Sequence, residues 1–210
     1  MEDLDSSGYG YRCDHAPLNV VRLGLRWLAH FHARFIQQPL DKVWPIGTYW
    51  HLKTRPDEWQ KMPSGLLKTG ASAIDQKLNQ ARFQTLVHGD AKLANFCFSP
   101  AHDMLAAVDF QYVGRGIGVK DIMYFLGSCF HQDDLYSYVD LLVDEYFVYL
   151  KQAVQLYQPD VDYEALESEW RELHVFAWAD FERFLLGWMP SHHKLNGYSK
   201  KQTDAALSLL

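Results

Sequence analysis

The run Leu86-Val87-His88-Gly89-Asp90-Ala91-Lys92-Leu93-Ala94-Asn95-Phe96-Cys97-Phe98 sets an acid (Asp90), a cation (Lys92) and an amide (Asn95) into one short loop between apolar segments. The stretch Ala106-Ala107-Val108-Asp109-Phe110-Gln111 then delivers a second carboxylate, Asp109. These side chains suit phosphoryl transfer. A hydroxyl nucleophile needs a carboxylate to orient it and take its proton, and Mg²⁺ on a triphosphate needs hard oxygen ligands. The spacing assigns Asp90 to the first task and Lys92 to stabilising charge on the transferring group. Asn95 and Asp109 are left for the metal. Each residue alone would read as turn chemistry; the set in register points to a site.

The elements that must hold these groups are visible in the same chain. Pro17 precedes Leu18, Val21, Leu25, Leu28 and Phe35, with Arg22, Arg26 and Arg34 off that face, which predicts a helix. Pro39, Pro45, Pro56, Pro63 and Gly47 make 37–63 an ordered loop or a set of turns, with Trp44, Tyr49, Trp50 and Trp59 as its anchors. Leu67, Ala71, Ile74, Leu78 and Ala81 predict a second helix. Short β-like stretches at 84–88, 95–98 and 104–110 predict one small sheet, with Ser99 to Asp103 as a turn between two of them. Beyond 118 the pattern is helical over 120–130, 134–157 and 162–188, and Ala205 to Leu210 adds a frayed turn. The fold class is therefore α+β and mostly helical, with a small β-hairpin-type sheet bearing the loop.

Composition narrows the field of functions. A chain of 210 residues that is 48% hydrophobic and 15% aromatic can bury a substantial core as one domain. A net charge of -6 and a pI near 5.9 speak against nucleic acid, which asks for a basic stripe, and fit a cationic small substrate weakly. Cys13, Cys97 and Cys129 are odd in number and show no paired spacing, so the expected state is reduced thiols in a cytoplasmic protein. No apolar run is long enough for a membrane span and no signal-peptide pattern opens the chain, so no membrane partner is expected.

Several other groups admit more than one reading. His88, Asp90, Asp109 and His102 could form a metal-dependent phosphoesterase site, although such sites ask for more ligands than these. His192-His193 and His30-x-His32 lack further partners at ligand spacing and read as surface or packing residues. Gly114-x-Gly116-x-Gly118 follows the second carboxylate rather than opening a dinucleotide unit, and reads as a flexible segment near the substrate. Trp170, Trp178, Asp180, Phe181, Phe184 and Trp188 read either as core at helical spacing or as an aromatic box for a cationic amine.

The pattern His88-Gly89-Asp90-x-x-x-x-Asn95 with downstream Asp109-Phe110 resembles the aminoglycoside phosphotransferase and choline kinase-like superfamily, and Asp90-x-Lys92-x-x-Asn95 has the spacing of the protein-kinase catalytic loop. The phrases Trp44-Pro45-Ile46-Gly47-Thr48-Tyr49-Trp50-His51-Leu52, Val87-His88-Gly89-Asp90 and Val108-Asp109-Phe110-Gln111-Tyr112 are most similar to its ecdysteroid kinase-like branch. The resemblance implies the C-terminal lobe of a protein-kinase-like fold over 1–210, with a hinge remnant at 1–8, catalytic and metal loops at 84–111 and a helical substrate subdomain at 119–210. It implies transfer of the ATP γ-phosphate to a small-molecule hydroxyl with Mg²⁺. His88 would brace the catalytic loop, Asp121 would anchor its backbone, and Glu2, Leu4, Cys97 and Val108 would border adenine. The phosphate-covering loop, strand lysine and helix glutamate of such kinases have no counterpart in 1–210, so an absent N-terminal lobe is expected. ATP affinity of millimolar or weaker and no measurable activity for the chain alone follow from that expectation. A non-catalytic nucleotide-binding or interaction remnant is the alternative.

Overall fold

The structure is a computed structural model that describes residues 3–13 and 16–210. Pro17, extended, leads into helix α1 (Leu18–Phe35), whose Val21, Leu25, Leu28 and His32 face inward. A proline-punctuated strap follows. It contains a short 3₁₀ turn at Leu52–Thr54 and helix α2 (Pro56–Lys61), which begins on proline because the first helical N–H needs no partner. Trp50 is this strap's anchor: it is fully buried, while Trp44 and Trp59 remain exposed. Helix α3 (Leu66–Asn79) then leads to the strands.

The strands form two separate antiparallel ribbons rather than the single sheet that the pattern predicts. β1 (Thr85–Val87) pairs with β4 (Gly114–Gly116), and β2 (Phe96–Phe98) pairs with β3 (Leu105–Ala107). Phe96 and Phe98 alternate into the core. The segment expected to be flexible is thus β4, and its glycines serve close backbone approach. A Cβ on Gly114 would sit 2.6 Å from the Trp44 carbonyl oxygen. The glycine lets the strap run alongside β4, where Trp44 N–H donates to the Val113 carbonyl (3.1 Å) and Gly47 N–H to the Arg115 carbonyl (2.7 Å).

The remainder is helical: α4 (Gly118–Cys129), α5 (Gln132–Tyr157), α6 (Tyr163–Trp188) and α7 (Gly197–Ser208). α1 lies against α5, and the contact is fixed at its edge by a bidentate pair between Arg22 and Glu145 (2.7 and 2.9 Å). α7 is a full helix where only a frayed turn is expected from the pattern. A capping box starts it, with Asn196 accepting from Ser199 N–H and the Ser199 hydroxyl accepting from Asn196 N–H. Tyr198, on its first turn, packs edge-on against Trp178 of α6. Of the aromatic run on α6, Trp170, Trp178, Phe181 and Phe184 are buried and serve the core, whereas Trp188 is exposed. Asp180 within that run accepts from Arg183 (2.7 Å) and Trp50 Nε1 (3.1 Å) and lies 3.6 Å from Lys120 Nζ, so it is not open to an amine.

Candidate functional site

β1 runs directly into the turn His88-Gly89-Asp90. Gly89 has φ +81, and a Cβ there would collide with the Tyr112 carbonyl and lie 2.8 Å from Thr48 N. Only glycine lets the strap and the turn at 110–112 close over this loop. Tyr49 N–H donates to the Gly89 carbonyl and Thr48 N–H to the Tyr112 carbonyl, both at 3.3 Å. Thr48 itself has φ +87, a strained conformation for a β-branched residue, and its hydroxyl is buried without a hydrogen-bond partner among the described residues. Strain of this kind gathers where surrounding structure fixes a functional loop.

Asp121, in the first turn of α4, holds the loop from beneath. Its carboxylate accepts from His88 N–H (2.7 Å), Gly89 N–H (3.0 Å) and His32 Nε2 (3.0 Å) and is fully buried. Burial alone would push its pKa up, but the bonds and charges of His32 and His88 outweigh that and hold it below the usual carboxylate range. His88 Nε2 donates to the Val108 carbonyl at 2.9 Å, and Nδ1 accepts from Asp90 N–H at 3.3 Å. Both ring nitrogens are therefore committed within the loop, and His102 lies against Tyr11, so the phosphoesterase set of His88 and His102 is not assembled.

Asp90 is buried at the mouth of this turn. Its Oδ2 accepts from Lys92 Nζ (3.0 Å) and Asn95 Nδ2 (3.1 Å), and Asn95 Nδ2 also donates to the Asp90 carbonyl (2.8 Å). Asp90 Oδ1 is buried and makes no well-formed hydrogen bond among the described residues, although the Tyr124 hydroxyl lies near enough to the carboxylate for Asp90 to raise its pKa. The 3₁₀ turn Leu93–Asn95 that carries the amide is tied to α4 by Leu93 N–H donating to Ser128 Oγ (2.8 Å). Val108 N–H donates to the Asn95 carbonyl (2.9 Å), which brings the end of β3 against the same turn. There Asp109 adopts a left-handed conformation, φ 65 and ψ 55, with its side chain exposed to solvent.

A cleft of about 290 Å³ opens above Asp90 and Lys92. Tyr49, Tyr112, Tyr124, Phe181 and Trp188 wall it, and Lys194 and His192 close one side. The Tyr49 and Tyr124 hydroxyls are 3.1 Å apart. Burial pushes the Tyr49 hydroxyl up to about 12 and the Tyr124 hydroxyl higher still, the latter reinforced by Tyr49 and Asp90. Burial pulls Lys194 down to about 8. Tyr49 and Tyr112 stand inside the quoted motifs, but Lys194 lies far downstream in the link between α6 and α7, where nothing local in the sequence marks it.

The residues expected to border adenine are placed apart from this cleft. Cys97 is buried, its thiol pushed up by burial and acted on by the charges of Arg12 and Asp5. The Leu4 carbonyl accepts from Tyr9 N–H (2.8 Å) within an N-terminal turn, and that segment joins β2 through Tyr11 and Phe98. Val108 is half-buried beside Asp109. Glu2 lies outside the described residues.

Asn95, an amide beside a buried carboxylate, and Asp109, a solvent-facing carboxylate, are hard oxygen donors of the kind that Mg²⁺ takes. Among the described residues no three His, Cys, Asp or Glu side chains gather to hold a metal ion by themselves, and Mg²⁺ at such sites is held by one or two carboxylates together with substrate phosphates. No curated protein and no solved structure matches the chain. A family match covers residues 47–158, from the strap through the Asp90 loop, Asp109 and Asp121 to the end of α5. The chain therefore belongs to the ecdysteroid kinase-like family, within the protein-kinase-like superfamily.

Proposed function

We propose that this chain carries the catalytic loop of an ATP-dependent phosphotransferase acting on a small-molecule alcohol. The observation that carries the reading is Asp90: buried, oriented by Lys92 and Asn95 through one oxygen, and left without a partner on the other at the floor of a cleft. A hydroxyl entering that cleft would donate to the Asp90 carboxylate. Asp90 then takes its proton as the new O–P bond forms, a contribution of about 10²–10⁴-fold for a well-placed general base. Lys92, fixed on the same carboxylate, lies where it can offset charge on the transferring group. Asn95 and Asp109 would hold Mg²⁺, which when bound links the terminal phosphates and neutralises charge developing on them. His88 and Asp121 act through the loop backbone and touch no reactant.

Elements that cover the phosphates and adenine would come from outside 1–210, and Leu4, Cys97 and Val108 keep only a bordering role in this proposal. The setting proposed is cytoplasmic: Cys97 and Cys129 are free thiols, and among the described residues no helix is long and apolar enough to cross a membrane. The test is a titration of ATP with and without magnesium, carried to millimolar nucleotide and followed by NMR. Binding should depend on magnesium, and Asp109→Ala should remove that dependence while leaving the fold intact. Nucleotide binding that ignores magnesium, or a magnesium dependence that survives Asp109→Ala, would remove Asp109 from the metal role.

A further inference from the structure

The cleft above Asp90 has a charge pattern that proton transfer alone does not use. Lys92 is committed to Asp90 at 3.0 Å. Lys194 is a second ammonium on the same cleft, and its Nζ rests over the ring of Tyr124 at 4.4 Å and 5.7 Å from that of Phe181, in no ion pair among the described residues. Ring faces offset part of the cost of removing an ammonium from water, but less than an anion would. That shortfall agrees with the direction of its pKa, lowered chiefly by burial.

Among the described residues that line the cleft, Asp90 is the one carboxylate, and it is not free for a cationic guest. Asp90 already bears Lys92 and Asn95, and Asp180, though next to Phe181 in sequence, is saturated by Arg183, Trp50 and Lys120. A protonated amine in the cleft would meet the Lys194 ammonium beside a Lys92–Asp90 pair that carries no net charge. An anion would meet one ammonium in need of a partner. His192 adds no charge near neutrality, because burial and its neighbours His193 and Lys194 lower its pKa. The other walls are aromatic and suit a flat apolar body. At about 290 Å³ the space sits at the lower edge of small-molecule sites, which run from about 300 to 1,000 Å³.

We infer that the acceptor is a compact hydroxylated ring compound bearing a carboxylate, which pairs with Lys194 while its hydroxyl reaches Asp90. The inference rests on the reading of Asp90 as the group that receives the acceptor hydroxyl. It departs from the reading of the aromatic run as a box for a cationic amine, because Asp180 proves to be internally neutralised.

The test uses three probes of equal shape, a hydroxymethylbenzoate, its methyl ester and the corresponding benzylamine, with no nucleotide or magnesium present. Their binding is followed by tryptophan fluorescence and calorimetry near neutral pH. The wild-type chain should bind the carboxylate about tenfold or more tighter than the ester, the ratio expected for one charge-assisted contact, and the amine most weakly. Lys194→Met should erase the preference for the carboxylate, and Lys194→Arg should keep it, with melting curves showing that both variants fold. Equal or tighter binding of the ester or amine by the wild type would overturn the inference. So would a carboxylate preference that survives Lys194→Met, including the case in which that variant weakens Mg-ATP instead. Loss of the carboxylate preference leaves the magnesium titration of nucleotide untouched, so this inference and the phosphotransferase reading fail by different measurements.

Discussion

Asp90 and Asp180 are both buried aspartates, and they are treated in opposite ways. Asp180 receives Arg183 on one oxygen and Trp50 on the other, with Lys120 nearby. Burial would raise its pKa, but Arg183 and Lys120 outweigh that and hold it below the usual range. Asp90 gathers both of its donors on one oxygen and leaves the other bare. Buried polar atoms are nearly always paired, so a bare oxygen at a cleft floor is a place kept for something else. A carboxylate that holds the fold together is saturated, whereas one that waits for a hydroxyl keeps an open oxygen.

Removing the saturated acid should therefore cost the most stability. Asp180→Ala would leave the buried guanidinium of Arg183 and the ammonium of Lys120 without their counter-charge, for a loss of about 3–5 kcal/mol. Chemical denaturation measures it, and a loss under about 1 kcal/mol would show that the cluster is not held by the acid. Asp121→Asn comes next, at about 2–3 kcal/mol, because an amide cannot serve all three donors that Asp121 now satisfies. The sign with pH follows from its lowered pKa. Asp121 contributes stability that is fully present above the unfolded carboxylate value of about 3.9 and is lost as pH falls through the lower folded value. Below about pH 4 the difference between wild type and Asp121→Asn should shrink, and a constant difference across that range would contradict the sign.

How far each region was legible follows from the same contrast. The Asp90 loop is one contiguous stretch, so its acid, cation and amide can be read from spacing alone, and the helices α1, α4, α5 and α6 declare themselves by apolar period. Asp180 reads as an acid among aromatics, and its neutralisation stays hidden because Trp50 and Lys120 come from distant segments. β4 was missed because Gly114-Arg115-Gly116 has turn composition, and only its pairing with β1 and the strap makes it a strand. α7 buries only Tyr198, Ser199, Thr203 and Ala206, too thin a stripe to show as period. Lys194 carries no local signal, since its importance comes from the link between α6 and α7 folding back over Asp90.

The smallest effect on stability and the sharpest effect on function should both come from Asp90→Asn. The new side chain is nearly the same shape, and its carbonyl can take the place of Oδ2, where it still accepts from Lys92 Nζ and Asn95 Nδ2. Its amide group then occupies the position of Oδ1, which makes no well-formed hydrogen bond among the described residues. The fold gives up the charge assistance of a half-exposed lysine and little else, so the change should stay within about 1 kcal/mol, the scale of such surface pairs. At the open position, however, an acceptor has become a donor. A hydroxyl arriving there can no longer give up its proton, so transfer of the γ-phosphate should be lost in an enzyme that has the phosphate-covering elements restored, while magnesium-dependent nucleotide binding remains, since Asn95 and Asp109 are untouched. Parallel melting and magnesium titrations on this variant and on Asp180→Ala decide the matter. If Asp90→Asn destabilised the chain as much as Asp180→Ala does, Asp90 would be a second structural acid and the open oxygen would have no functional meaning.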